Sequence, residues 1–335
     1  MPNPIKFSII KEPYPVVIGM VPFVYYLIGS VIVIMDMKEN KIMNKRRRRA
    51  VPYVIIAIVV LIIASAGIYI YFDNNRIDVS CYDVSVRELP DGFEGYKIAQ
   101  ISDFHNTVLG KDNAMIVDAL EAESPDIIVI TGDYTDSRRT DKDIVIALTE
   151  KIVKLAPVYY VTGNHERRIP ETVSEVENKM EQLGVHILHN RSEYIERNGE
   201  KLQIAGVDDL SYYIDINTYE DDALLKIDEQ IKDINSLDDK SCPTVLLSHR
   251  PTFFEEYTKT DVDLIFSGHE HGGQFRLPFI GAVLGPDEGF FPKYSEGVHV
   301  SGDCTMVVSR GLGQSIFPFR LNNSPELVFA VLHRK

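Results

Sequence analysis

Cysteine is scarce in this sequence: Cys81, Cys242 and Cys304 are the only three in 335 residues, and they lie far apart. So few scattered cysteines exclude a disulfide scaffold and a zinc knuckle. We expect ordinary thiols, with one disulfide between two of them as the less favoured alternative. The sequence also lacks an internal repeat and a nucleophilic serine or cysteine motif, so a covalent catalytic intermediate is not expected.

Positive charge is scarce after residue 72. Residues 1–72 hold nine Lys and Arg against three Asp and Glu, whereas residues 73–335 hold 26 against 46. This acidic balance argues against a nucleic-acid partner, because such binding depends on counterion release by a basic surface. The charge asymmetry predicts a boundary near residue 72, and a hydrophobic content of 45% is enough for a core after it.

Two long uncharged runs lie before that boundary. Residues 51–72, VPYVIIAIVVLIIASAGIYIYF, predict a transmembrane helix, because a hydrocarbon core needs about 20 apolar residues. Polar flanks and aromatic residues at the far end favour a bilayer over a buried core helix, and the run exceeds the core of a signal peptide. Residues 13–35 are a second candidate span, weakened by Pro22 and two glycines.

The loop between these runs, residues 38–49, carries seven Lys and Arg. The positive-inside rule places it in the cytoplasm, so the domain at residues 73–335 is expected on the extracytoplasmic side of the cell membrane, anchored by residues 1–72. A nuclear-localisation or nucleic-acid role for residues 45–49 is the alternative, which the adjacent apolar run disfavours. Translation from Met43 would leave one span and the same orientation.

After residue 73 apolar, β-rich runs alternate with amphipathic segments. Strands are predicted at residues 96–101, 126–131 and 158–162, with helices near 113–122 and 143–154, which is a βαβαβ pattern. Further strands are predicted at 202–207, 244–248, 264–267, 306–309 and 326–332, with helices near 171–183 and 221–234. The late strands suggest a second sheet packed on the first.

Polar clusters follow five of these strands, at the carboxyl ends where open α/β sheets place ligands. They contain carboxylates, an amide and imidazoles: Asp103 and His105; Asp133 and Asp136; Asn164, His165 and Glu166; His249; His269 and His271. A single histidine at a strand end is more often structural, but burying this many polar groups is costly without a charge to coordinate. Oxygen and nitrogen donors without sulfur suit Mn, Fe or Zn, so the clusters predict a metal site.

This pattern resembles the calcineurin-like metallophosphoesterase superfamily, with D-x-H, G-D-x-x-D, G-N-H-[DE], a lone H and G-H-x-H. The resemblance runs from about residue 98 to 332, and GGQ at 272–274, LP at 277–278, SRGLG at 309–313 and PE at 325–326 are similar to its membrane-anchored bacterial branch. It implies a four-layer α/β/β/α sandwich. It also implies two metal ions, one held by Asp103, His105 and His271, the other by Asn164, His249 and His269, with Asp133 as the bridge.

The resemblance gives further residues a role. His165 would be the catalytic histidine that stabilises charge or protonates the leaving oxygen. Glu166, where many members carry Asp, would support it, and Asp136 is expected to be structural. Arg250 and Arg310 are candidate substrate-binding residues because Arg matches phosphate geometry; Arg167 and Arg168 are weaker candidates. Residues 275–294 could form a lid, a membrane-facing loop or an ordinary surface loop.

The function that the resemblance implies is hydrolysis of phosphomonoesters or phosphodiesters. Two divalent ions would lower the pKa of a bound water towards ~7, and the hydroxide would attack phosphorus directly. A lipid-linked pyrophosphate of the UDP-diacylglucosamine type is an alternative substrate, which the outward orientation disfavours. A non-catalytic membrane receptor or scaffold is disfavoured because all seven ligands and His165 are present. The preferred ester, the native metal and the oligomeric state stay open.

Overall fold

The computed structural model describes residues 45–213, 223–237, 240–314 and 317–335. The chain divides into two compact units, with the division between Asp73 and Asn74. Helix α1, Lys45–Asn74, contains a stretch, Ala50–Asn74, of 25 residues with a mean hydropathy of 2.8, long and apolar enough to cross a bilayer. The predicted span at residues 51–72 lies within it. Residues 13–35, Met43 and the basic loop up to residue 44 lie outside the described residues.

The second unit contains two six-stranded sheets. In the first, the order is β1-β16-β2-β3-β4-β5, and every pair is parallel except β16 with β2. Its strands are β1 Asp78–Val86, β2 Lys97–Ile101, β3 Ile127–Thr131, β4 Val158–Val161, β5 His186–Ile187 and β16 Glu326–Arg334. Strand β3, IIVIT, is buried throughout, as is typical of a parallel strand covered on both faces.

Three helices cover the outer face of the first sheet: α2 Ala114–Glu123, α3 Lys142–Ile152 and α5 Pro170–Gln182. Helix α3 begins after Asp141, whose carboxylate accepts the backbone N–H groups of Asp143 and Ile144. Helix α5 has proline as its first residue, where no intrahelical N–H bond is lost. The short helix α4, Asn164–Arg167, lies between β4 and α5.

The second sheet has the order β14-β15-β9-β8-β7-β6. Its strands are β6 Arg191–Arg197, β7 Glu200–Gly206, β8 Thr244–Leu247, β9 Leu264–Ser267, β14 Gly297–Ser301 and β15 Cys304–Val308. Helices α6, Ala223–Leu237, and α7, Phe254–Tyr257, cover its outer face. Two short hairpins lie between β9 and β14: β10 Arg276–Leu277 with β11 Gly281–Ala282, and β12 Leu284–Gly285 with β13 Gly289–Phe290.

Alternation along the strands builds three apolar layers. In β3, Val129 faces the second sheet and packs in the same cluster as Leu247 and Phe266, whereas Ile128 and Ile130 pack under the helices. A third cluster joins the second sheet to α6 and α7. Fully burying one such aliphatic side chain stabilises the fold by about 1.5–3 kcal/mol. The predicted four-layer α/β/β/α sandwich is confirmed.

All eight predicted strands are present, with shifts of one or two residues at several ends. The sequence did not predict β1, β5, β6 and β14, which are the edge strands of the two sheets. Strand β6, RSEYIER, contains no buried residue and so carries no apolar run. The three cysteines are free thiols.

Candidate metal centre

The polar clusters lie where the central strands of both sheets end. Strands β2, β3 and β4 are neighbours in the first sheet, and β8 and β9 are neighbours in the second. Gln100, at the end of β2, donates from Nε2 to the carbonyl oxygen of Ser267 over 2.8 Å and so links the two sheets. The five loops that follow these strands therefore meet at one place. The predicted ligands they carry are all buried.

One group of candidate ligands consists of Asp103, His105, Asp133 and His271, whose donor atoms lie within 4.8 Å of one another. Nε2 of His105 faces Nε2 of His271 at 3.3 Å. Oδ1 of Asp103 lies 3.4 Å from Nε2 of His271, and Oδ2 of Asp133 lies 3.6 Å from Nε2 of His105. These atoms surround a common point between the β2, β3 and β9 loops.

A second group consists of Asp133, His249 and His269. Nε2 of His249 lies 3.4 Å from Oδ2 of Asp133 and 3.0 Å from Nδ1 of His269. Oδ1 of Asn164 is 3.3 Å from the same nitrogen of His249. The structure thus brings together all seven residues in the two predicted sets, and Oδ2 of Asp133 faces both groups.

The backbone is held in an uncommon conformation at five of these residues. Asp103, His105, Asp133, His269 and His271 have φ between 47° and 66°. Non-glycine residues in sparsely populated regions cost about 1–3 kcal/mol each, and they persist where the surroundings enforce them, as at active sites. Each turn aims its side chain into the shared space.

Glycine is required where the loops come close. A Cβ on Gly268 would overlap the Asp103 carboxylate and the Ser102 hydroxyl. Its neighbour His269 donates its backbone N–H to Oδ2 of Asp103 over 3.0 Å. The β9 loop can therefore approach the β2 loop only because residue 268 has no side chain.

The electrostatics fit a bound cation. Burial lowers the pKa of His105 to about 4, so its imidazole is neutral and has a lone pair. Burial also works against a charge on His249, but Asp133 and the more distant Asp103 raise its pKa to about 10. Nδ1 of His105 has no hydrogen-bond partner among the described residues. Buried carboxylates and imidazoles that face one another are costly without a charge between them, and oxygen and nitrogen donors without sulfur suit Mn, Fe or Zn.

The side chain of Glu166 binds the backbone of the loops after β3 and β4. Its carboxylate accepts the backbone N–H groups of Asp133, Thr135 and Gly163 over 2.8–2.9 Å. The side chain points to the backbone of the β3 and β4 loops, where these three N–H groups have no strand partner. The supporting role predicted for Glu166 would therefore act through the loops. Burial and the Asp133 carboxylate raise the pKa of Glu166 to about 8.

The side chain beside His165 is Asp136, which we expected to be structural. Oδ1 of Asp136 lies 3.3 Å from Nδ1 of His165, and the same nitrogen accepts the backbone N–H of Ser137 over 3.1 Å. The His165 ring packs edge-on against His105, with 4.5 Å between ring centroids. Asp136 and Ser137 thus both contact Nδ1 of His165. The sequence signal that could have indicated a role for Asp136 is its place as the second Asp of the G-D-x-x-D motif.

The candidate substrate-binding arginines are engaged by carboxylates. Arg250 is buried, with Nε 2.8 Å from Asp209 and Nη1 2.5 Å from Asp287. Arg310 lies 3.2–3.3 Å from Asp78 and Glu326. The guanidinium of Arg167 stacks 5.6 Å from the ring centroid of Tyr212.

Two residues near the ligands were missed by the sequence reasoning. Oδ1 of Asp287 lies 3.0 Å from Nε2 of His269, the nitrogen that faces away from His249. The fully buried Arg320 has Nη2 3.3 Å from Nδ1 of His271. Both come from irregular segments far along the chain, and no motif in the sequence marked them.

Known proteins provide an independent comparison. The family described as calcineurin-like phosphoesterase matches residues 96–273, which is more than half of the chain. The chain is 29% identical over 267 residues to the uncharacterized metallophosphoesterase YkuE of Bacillus subtilis, covering 78% of this chain and 87% of that protein. It is 26% identical over 251 residues to the phosphodiesterase YaeI of Escherichia coli, covering 72% and 84%.

A third relative is a transmembrane protein with a metallophosphoesterase domain from Bos taurus, 30% identical over 266 residues, which are 76% of this chain and 56% of that protein. The buried Asp and His clusters lie within or next to the residues that the family match covers. The match, the motifs and the fold agree, and the chain belongs to the calcineurin-like phosphoesterase family.

Proposed function

We propose that this protein is a dinuclear metal-dependent hydrolase of phosphoesters. The observation that carries the proposal is the position of Oδ2 of Asp133, which lies 3.6 Å from His105 and 3.4 Å from His249, one from each ligand group. A carboxylate oxygen shared by two sets of donors is suited to bridging two cations. Family membership and the similarity to the E. coli phosphodiesterase support a phosphodiester as substrate.

The ligand sets follow from the two groups. Asp103, His105 and His271 would hold one ion, Asn164, His249 and His269 the other, with Asp133 between them. When bound, two Mn, Fe or Zn ions would supply an activated water and neutralise charge on the phosphate oxygens. The protein holds the donors in place through the strained turns, Gly268 and the Glu166 carboxylate.

His165 would transfer a proton to the leaving group. Its Nδ1 accepts the Ser137 N–H, which favours a ring proton on Nε2. That nitrogen could donate to the leaving oxygen, and Asp136 would stabilise the ring while it is charged. Arg250 and Arg310, although paired with carboxylates, remain candidates for substrate contact; through Asp287, Arg250 would also hold His269 in position.

A direct test uses the full chain purified in detergent and loaded with Mn. Turnover of bis-nitrophenyl phosphate, nitrophenyl phosphate and a nucleotide-linked lipid pyrophosphate would be compared, and bound metal counted by mass spectrometry. We expect two ions per chain and preference for the diester. Fewer than one ion together with no turnover would favour a receptor or scaffold, and turnover of the pyrophosphate alone would assign the other substrate class.

We also propose that residues 1–72 anchor the protein and that residues 73–335 lie on the extracytoplasmic side. The seven basic residues between Lys38 and Arg49 support this orientation. Protease added to intact spheroplasts should degrade the domain. Protection until the cells are lysed would mean that the domain is cytoplasmic.

A further inference from the structure

Exposed apolar side chains of the second unit are concentrated beside the metal centre. Among its described residues twelve large apolar side chains are exposed, and seven of these fall in two short segments, residues 277–291 and 317–319. We call these seven the apolar rim: Leu277, Phe279, Ile280, Phe290, Phe291, Phe317 and Phe319. Phe279 is fully exposed and Phe290 is 75% exposed. A contiguous patch of exposed apolar side chains marks an interaction site, whereas apolar surface residues without such a role are scattered singly.

The two segments of the rim are joined to each other. The ring of Phe275 packs against Phe317 and Phe319, with centroids 5.0 and 5.6 Å apart. Gln274 donates from Nε2 to the carbonyl oxygen of Phe319 over 2.7 Å. Because Gln274 is three residues after the ligand His271, the rim is attached directly to the loop that carries it.

The chain also enters the domain at this place. Asn74, the last residue of α1, donates from Nδ2 to the carbonyl oxygen of Arg320 over 2.9 Å and accepts the Arg320 N–H at Oδ1 over 2.7 Å. Arg320 directly follows Phe319. The predicted span ends at residue 72, and two residues reach at most about 7 Å. Asn74, two residues after the predicted span, is therefore bonded to the residue that follows the rim.

Electrostatic attraction to lipid headgroups does not explain the apolar rim. Arg276 beside it is paired with Glu296, and Asp287 between its phenylalanines is paired with Arg250. The domain after residue 72 has 20 more acidic than basic residues. Attraction to anionic headgroups needs clustered Lys and Arg, so the feature that remains is insertion of aromatic side chains at a bilayer interface.

We propose that the apolar rim docks on the surface of the bilayer that the protein's own helix spans. The metal centre then faces phosphoesters that are held at that surface by an alkyl or acyl chain. This second statement rests on the proposed function, whereas docking of the rim does not.

The docking can be tested with the full chain, because the sequence contains no tryptophan. A Phe279→Trp variant is reconstituted at one chain per nanodisc of phosphatidylcholine, with or without bromine on the acyl chains. The matched control is Val300→Trp, since Val300 is 67% exposed but pairs with Thr305, near the ends of β14 and β15 remote from the metal centre. We expect brominated lipid to quench the indole of the Phe279→Trp variant and leave that of the control bright, at low and high salt alike.

Three results would overturn the docking. Equal fluorescence of the Phe279→Trp variant in brominated and unbrominated lipid would show that the rim does not touch the bilayer. Blue-shifted but unquenched emission from this variant would mean that protein covers the rim, either a second segment or a partner. Quenching that disappears in high salt would contradict the apolar mechanism.

The substrate class is tested with two diesters that share the nitrophenolate leaving group, methyl nitrophenyl phosphate in solution and hexadecyl nitrophenyl phosphate in the bilayer. Replacing Phe279 and Phe290 together with Ser should reduce turnover of the hexadecyl ester about tenfold or more, because burial of one such side chain is worth about that factor. Turnover of the methyl ester should be unchanged. Equal loss on both esters would reject the substrate class, whereas no turnover of either ester by the unmodified protein would reject the proposed function and leave the quenching result standing.

Discussion

Nδ1 of His165 lies 3.3 Å from Oδ1 of Asp136, and both side chains are buried beside the His105 ring. The contact joins the catalytic candidate to the last residue of the β3 motif, G-D-x-x-D. It restrains the imidazole without completing either group of metal donors. Binding of metal and transfer of a proton can therefore be separated by mutation.

His165→Ala should keep both metals and the fold and lower turnover by about 10²–10⁴-fold, the usual cost of losing a general acid or base. The loss should be smaller for a nitrophenolate leaving group than for an alkoxide, which needs the proton more. Metal content and turnover of both esters are the measurements. Loss of metal in parallel with activity, or equal loss on both esters, would contradict the general-acid role.

Asp136→Asn should act through His165. We expect a loss of up to about tenfold in kcat/KM, because the ring loses a charged neighbour while the loop keeps its shape. The double variant with His165→Ala should be no slower than His165→Ala alone, since interacting residues are not additive. A further loss in the double variant would mean that Asp136 has a separate task.

Asp133→Asn should be more harmful than His105→Ala, because Asp133 faces both donor groups and His105 only one. At saturating Mn we expect kcat/KM of the Asp133 variant to be at least about tenfold lower than that of the His105 variant. The metal count should fall for both ions in the first variant and for one in the second. Equal residual activity would argue against Asp133 as the bridge.

Metal binding should release protons. In the metal-free protein burial opposes a charge on His249, but Asp133 raises its pKa to about 10, so the ring is protonated at neutral pH. A divalent cation must displace that proton, and affinity should fall about tenfold for each unit that the pH is lowered below about 10. Calorimetry at pH 7.5 in buffers of different ionisation enthalpy gives the number released, and a value of zero would contradict this assignment.

The raised pKa of His249 also affects the stability of the metal-free protein. The folded pKa of His249 lies above the unfolded value of about 6.5. Its stabilising contribution is therefore fully present below pH 6.5 and is lost as the pH rises through about 10. Unfolding in urea with a chelator should show this decline between the two values.

The sequence was sufficient to predict the central strands, the polar side chains that meet at their ends and an apolar helix. Central strands such as β3 are buried on both faces, so the sequence predicts them from continuous apolar runs. The metal donors follow those runs at once, so their place at one sheet edge could be inferred from strand order alone.

Only the tertiary structure revealed the edge strands, the loop partners and the apolar rim. Edge strands β5 and β6 have a partner on one side only, so their sequences lack an apolar run, and β16 enters between β1 and β2 from the far end of the chain. Asp287 reaches His269, and Arg320 reaches both His271 and Asn74, across long separations in sequence. Local periodicity reports which face of an element is buried, but contacts between irregular segments depend on how the whole chain closes on itself, and no local pattern encodes them.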